Sequence, residues 1–208
     1  MKSNRKNPTL FLATMVVAVC GLWVIAPPAA TAEIIEFTVS FKGSGTLDGV
    51  AFPLSAFTIT SFADTANKVY AGYGVYSMDH LSSSISIAGL GHLDILTGTR
   101  TFWDPGARRV GYSRAGINGY DLMLGPEHAD LGSWDMISPI GPLTGVAYGL
   151  HQWGMSPLID TSGGVLKFDD GGSSVAVFSA ARVPEPYTLS LLAVGGIEAL
   201  RRRRRARL

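Results

Sequence analysis

Five carboxylates, Asp104, Asp121, Glu127, Asp130 and Asp135, fall within one stretch of the 208-residue chain. Cleavage of a glycosidic bond needs two carboxyl groups held about 5 to 10 Å apart, one protonated toward the leaving oxygen and one ionised. These residues qualify by type, but their spacing pairs none of them, and carboxylates of an acidic domain are ordinarily solvated. Trp103-Asp104 and Trp134-Asp135 form a second pattern. An aromatic face beside a hydrogen-bonding carboxylate suits a sugar ring, which makes Trp103 and Trp134 candidate glycan contacts. The plainer reading of both is a buried tryptophan of a β core.

Other chemistry finds less support. His80, His92, His128 and His151 stand far apart, without the close spacing of a histidine metal site. Each reads as a surface or hydrogen-bonded loop histidine. Asp169-Asp170-Gly171 has oxygen ligands that suit calcium but lacks the spacing of an EF-hand loop, so a turn is the simpler reading. No Gly-x-Ser-x-Gly sequence occurs to place a serine nucleophile. No catalytic residue is assigned, and neither metal nor cofactor is expected.

The elements that must position these residues are strands. Ile35, Phe37, Val39 and Phe41 alternate with Glu36, Thr38, Ser40 and Lys42, the period of a strand with one apolar and one polar face. Phe37 is expected to point inward with Ile35 and Val39. Gly43-Ser44-Gly45 punctuates that strand, and Phe57 and Ile59 alternate with Thr58 and Thr60. Val69–Tyr76 is apolar on both faces and reads as a buried strand bent at Gly72 and Gly74. Ile85 and Ile87 alternate with serines. Val165–Phe168 and Val175–Phe178 flank the turn formers of Asp169–Ser174, a predicted hairpin. From Phe102 to Trp153, Pro105, Pro126, Pro139 and Pro142 suggest edge strands and long loops, with one short helix around Pro126–Leu131. The pattern predicts an all-β fold, an antiparallel β-sandwich or jelly-roll-like domain.

Both ends of the chain carry targeting features. Lys2, Arg5 and Lys6 precede an apolar run over Leu10–Ala26, and Ala30 and Ala32 occupy the −3 and −1 positions of a signal-peptidase site before Glu33. Residues 1–32 therefore read as a signal peptide with a signal helix; an uncleaved anchor is the alternative, and Val19 before Cys20 disfavours a lipoprotein. Residues 33–182 hold three Lys and five Arg against eleven Asp and three Glu, a net charge of −6. A body this acidic has no basic stripe for phosphates, so nucleic acid is not an expected partner. The only cysteine is Cys20, so residues 33–182 form no disulfide. At 150 residues this region is one ordinary domain.

Residues 183–208 stack three signals: Pro184-Glu185-Pro186, an apolar run over Tyr187–Leu200, and Arg201, Arg202, Arg203, Arg204 and Arg205. The prolines hold the entry extended, and the arginines stop transfer on the cytoplasmic side. A helix of the apolar run reaches about 21 Å, short of a hydrocarbon core near 30 Å. It fits a short transmembrane helix delivered to an enzyme better than a permanent anchor.

This order resembles the C-terminal sorting signal of PEP-CTERM proteins of Gram-negative bacteria, carried here by Pro184, Glu185 and Pro186. Tyr187 and Glu198 depart from the usual pattern of that tail. The resemblance covers the tail alone. It implies an exosortase-type membrane protease as partner beside signal peptidase, and often an exopolysaccharide-producing host. The expected protein crosses the inner membrane, is held there transiently, and ends at the cell surface or in the extracellular matrix. Its expected role is non-catalytic: adhesive, structural or exopolysaccharide-associated in a biofilm matrix. The alternative is a secreted polysaccharide-active hydrolase.

Overall fold

A computed structural model of the chain describes residues 33–116, 121–155, 157–169 and 174–184. The signal peptide, its cleavage site at Ala30 and Ala32, Glu185, Pro186, the apolar tail and the arginine cluster lie outside the described residues. Among the described residues no helix is long and apolar enough to cross a membrane.

The predicted alternation over Ile35–Phe41 becomes the start of β1 (Ile34–Leu47), where Ile35, Phe37 and Val39 are all buried. β1 does not stop at Gly43-Ser44-Gly45. It continues through a register irregularity there, and a Cβ on Gly45 would sit 2.0 Å from the Lys167 carbonyl oxygen. The glycine thus marks a close backbone approach and not a strand end. A two-residue turn, Asp48-Gly49, with φ of 48° and 81°, leads into β2 (Val50–Asp64). Two left-handed residues of this kind match the twist of the strands they join.

The other strands are β3 (Val69–Gly72), β4 (Val75–Ile87), β5 (Gly91–Ile95), β6 (Thr99–Asp104), β7 (Arg109–Arg114), β8 (Asp121–Glu127), β9 (Ile140–Ala147), β10 (Ile159–Thr161), β11 (Gly164–Phe168) and β12 (Ser174–Arg182). All pairings are antiparallel. The all-β expectation holds. In place of two open sheets facing each other, β1, β2, β4, β5, β10 and β11 close into a six-stranded barrel. Closure is possible because β1 and β4 each pair with different partners at their two ends. β1 meets β12 over Ile35–Ser40 and β11 over Gly45–Leu47; β4 meets β6 over Tyr76–Asp79 and β5 over Ser83–Ile87. The outer strands β6-β7-β8 and β12-β9 are joined at Leu124 and Tyr148, whose amides and carbonyls exchange bonds of 3.0 and 2.7 Å. Pairing of this kind leaves few open edges.

Three further expectations are corrected. Val69–Tyr76 is not one buried strand. It is the β3–β4 hairpin turning at Tyr73-Gly74, with Val69 and Tyr70 exposed. β11 and β12 do not form a hairpin across Asp169–Ser174, because both pair with β1 instead. The region from Phe102 to Trp153 is not mainly loop: β6 and β7 are buried on both faces, which erases the alternation that would reveal them. The short helix expected around Pro126–Leu131 is present as the 3₁₀ helix Ala129–Gly132.

Register lays two polar rows across the outer surface. Thr38, Thr60, Ser84 and Asp94 are successive partners across β1, β2, β4 and β5. Ser40, Thr58, Ser86 and His92 form the next row.

Candidate functional site

Strand order β4-β6-β7-β8 brings together residues that are distant in sequence. On the outer side of these strands Arg100, Asp104, Arg109 and Asp121 line one open depression of about 810 Å³, walled by Ala71, Gly72, Tyr73 and Val75 of the β3–β4 hairpin. Phe102 also lines it, its ring lying against Gly111, the opposite residue on β7. A Cβ there would come within 2.0 Å of Phe102 Cζ.

The charges are arranged in pairs. Arg109 Nη2 stands 3.5 Å from Asp104 Oδ2, while Asp104 Oδ1 accepts the Ala107 amide at 2.9 Å. Arg100 Nε donates to the Ser113 hydroxyl at 2.9 Å. Burial raises the Asp121 carboxyl above its ordinary range, partly opposed by the positive charges of Arg100 and Arg109. Arg109 Nε is buried and has no hydrogen-bond acceptor. A buried charged donor left unmade is costly, and with no accessible surface this N–H meets an oxygen from outside only if the side chain shifts.

The rim is held in place by stacked rings. Tyr73 is fully exposed, with φ of 52°. The Tyr70 hydroxyl accepts the Gly74 amide at 3.0 Å, Tyr70 packs edge-on against Tyr76 at 5.5 Å, and Tyr76 stacks on Trp103 at 5.3 Å. Lys68 Nζ lies over the Tyr76 ring at 4.6 Å.

Trp103 and Trp134 are therefore not an exposed sugar platform. Both are buried, 6.1 Å apart edge-to-face, with their indole N–H groups donating to the carbonyls of Leu131 and Ser138. The exposed aromatic beside the charged pair is Tyr73. Of the five carboxylates, Asp104 and Asp121 share the depression. Glu127 is exposed at the end of β8, and Asp130 lies 3.7 Å from His128. Asp135 accepts from the Ser138 hydroxyl and from the amides of Ser138 and Ile137. Burial would raise its pKa, but those bonds outweigh it and hold the carboxyl low.

His80 is a second corrected position, being a half-buried residue of β4 and not a loop residue. Its Nδ1 and Nε2 each lie 2.9 Å from a hydroxyl, those of Thr99 and Thr101, and its ring stacks on Tyr112. Ser83 Oγ lies 3.1 Å from Nδ1 and donates to Ser61 at 2.8 Å, while the Tyr112 hydroxyl donates to Thr99. Burial lowers the His80 pKa to about 3. An imidazole so weakly basic is a poor activator of Ser83, so the cluster reads as a hydrogen-bonded polar core. His92 and His128 lie at the surface, beside Asp94 and Asp130, as expected, and the side chain of His151 lies outside the described residues.

Asp169 closes a turn onto Ser44, accepting its hydroxyl at 3.3 Å, and Asp170 lies outside the described residues. Among the described residues no three His, Cys, Asp or Glu side chains come close enough to hold a metal ion. A scan against protein-family models and searches of curated proteins and of solved structures return no match.

Proposed function

We propose that the chain is an exported protein of a Gram-negative cell surface or extracellular matrix, processed through its Pro-Glu-Pro tail and associated non-catalytically with a glycan in the depression of Arg109 and Asp104. The observation that carries the glycan reading is that paired charge. The partly exposed Arg109 guanidinium and Asp104 carboxylate line the depression side by side, and Tyr73 stands exposed at the rim. Donors and acceptors beside an aromatic face match the vicinal hydroxyls and apolar ring face of a sugar.

The limits of the fold support the sorting reading. β1 begins at Ile34, two residues beyond Ala32, and the Val183 amide donates to Ile34 at 2.9 Å immediately before Pro184. Glu33 and Arg182 pair at 3.1 Å beside that bond. Among the described residues the first and last strands thus end next to each other, close in sequence to the two processing signals.

Binding is favoured over cleavage because both Asp104 oxygens are engaged, by Arg109 and by the Ala107 amide. One observation favours the hydrolase reading. Asp121, whose carboxyl pKa burial raises, lines the same depression as Asp104, and two carboxyls in one site resemble an acid and base pair in type.

The test has two parts. Wild type and Glu185→Ala are expressed in an exosortase-carrying, exopolysaccharide-producing host, which is then fractionated and probed with body-specific and tail-specific antibodies. Glu185→Ala should be exported but stay in the membrane fraction with its tail attached; trimming like the wild type would end the sorting reading. The released wild-type protein is then incubated with the host's matrix polysaccharide. Retention without new reducing ends is expected, and reducing ends that vanish in Asp121→Asn would establish the hydrolase instead.

A further inference from the structure

Outside the depression, the outer surface of β1, β2, β4 and β5 carries the two registered rows of small polar side chains. These rows are partnered across four strands at the usual strand spacing of about 4.8 Å. Neighbours within them already touch: Ser40 and Thr58 hydroxyls at 2.8 Å, Ser86 and His92 at 3.2 Å. Each hydroxyl has one donor and two acceptor sites, so such a bond leaves capacity directed outward. A shallow basin of about 730 Å³ lies over Thr60, Ser84, Ser86, His92 and Asp94.

The chemistry of the rows narrows the partner. Neither row contains Lys or Arg, and a polyanion such as nucleic acid needs such cations. Protein interfaces favour aromatic residues, Met and Arg at their centre and disfavour Ser, the reverse of this surface. Six of the eight positions are Ser or Thr hydroxyls, with His92 and Asp94 paired at one edge, a mostly uncharged set complementary to another polyhydroxylated chain.

The rows also join the depression along one strand. Ser77 of β4 lines the depression, while Ser82, Ser84 and Ser86 line the basin. Between them the register of β4 against β2 shifts, leaving both Leu81 and Ser82 exposed on the outer side. Seven residues separate Ser77 from Ser84, a span of at most about 23 Å at ~3.3 Å per residue.

We propose that the hydroxyl rows are a second contact surface for a neutral polysaccharide, so that one glycan chain is held both in the depression and across β1, β2, β4 and β5. This rests on the glycan reading of the depression and adds its substrate class: a neutral polymer long enough to span both places. Two linked contacts raise affinity for a polymer without strengthening either contact.

The experiment uses the exported, released protein and two probes: the neutral polysaccharide fraction of the host's own matrix, and short oligosaccharides made from it by partial hydrolysis. Wild type should bind the polymer at least tenfold more tightly than the oligosaccharides. The triple variant Thr58→Val, Thr60→Val, Ser84→Ala removes three hydroxyls from the surface. It should lose about tenfold in polymer affinity and keep its oligosaccharide affinity. Ser86→Ala alone, at an exposed position, should give a smaller loss of the same kind and guards against misfolding of the triple variant. Polymer affinity unchanged in both variants would overturn the second surface and leave the depression reading standing. Tighter binding of an acidic polysaccharide such as alginate would overturn the neutral second surface, and failure of wild type to bind any of these glycans would overturn both.

Discussion

Arg109 holds the Asp104 carboxylate at 3.5 Å, and the same guanidinium, with Arg100, lowers the cost of ionising Asp121. One cation on β7 thus serves two carboxylates on neighbouring strands of the same sheet. The depression is electrically balanced at its centre although residues 33–182 carry a net charge of −6. A neutral ligand suits that balance, whereas a polyanion would meet the charge of the whole body.

Asp121 gives a prediction with a defined sign. Its carboxyl has an ordinary value of 3.8 that burial raises in the fold. The folded state therefore binds the proton more tightly than the unfolded one, and stability falls as pH rises from 3.8 through the folded pKa. Asp121→Asn should be more stable than wild type at pH 7 and lose that advantage below about pH 4. Urea melts at the two pH values measure this, and an Asn variant less stable at pH 7 would contradict it.

His80 responds to pH in the opposite direction. Its pKa drops from 6.5 to about 3 on folding because burial disfavours the imidazolium. The unfolded chain then binds the extra proton between those values, so stability is complete above pH 6.5 and is lost as pH falls toward 3. The loss should reach a few kcal/mol at most. His80→Gln should be less stable at pH 7, because the Thr99 and Thr101 bonds change, yet show a flatter profile between pH 4 and 6.5. An equally steep profile in both proteins would place the titration elsewhere.

Gly111 tests the packing of Phe102 at the depression. A methyl group there meets Phe102 Cζ at 2.0 Å and the Met123 carbonyl oxygen at 2.6 Å. Gly111→Ala should cost about 1–3 kcal/mol, read as a lower midpoint in thermal or denaturant unfolding. A variant of wild-type stability would mean that the ring moves aside freely.

Legibility of the fold followed burial. Ile35–Phe41 was readable because one face of β1 is buried and the other is not, so the period of two survives in the sequence. β6 and β7 were not, because Phe102, Trp103, Val110 and Tyr112 bury both faces and prolines punctuate the surrounding segments. The turn formers of Asp169–Ser174 were visible, but the choice of partner was not. β11 and β12 separate onto the two ends of β1, a long-range pairing that local pattern does not encode. The Asp48-Gly49 turn is a signal that could have been found, since Asp-Gly between alternating segments marks a tight hairpin. The site was legible only as residue types. Asp104 and Asp121 stood among five carboxylates, and what singles them out is strand order; Arg100 and Arg109 carried no local mark at all. Trp103 and Trp134 looked like ligand contacts because the sequence does not show that their indoles bond to Leu131 and Ser138 in the core.

Glycan binding by the Arg109 and Asp104 pair is measured by equilibrium binding of the matrix polysaccharide to the released protein. Arg109→Gln removes the cation and its guanidinium donors. A hydrogen bond to a charged group contributes roughly 1.5–3 kcal/mol, so affinity should fall about tenfold or more while unfolding shows the body intact. A folded Arg109→Gln protein that binds the polysaccharide as tightly as wild type would contradict the account.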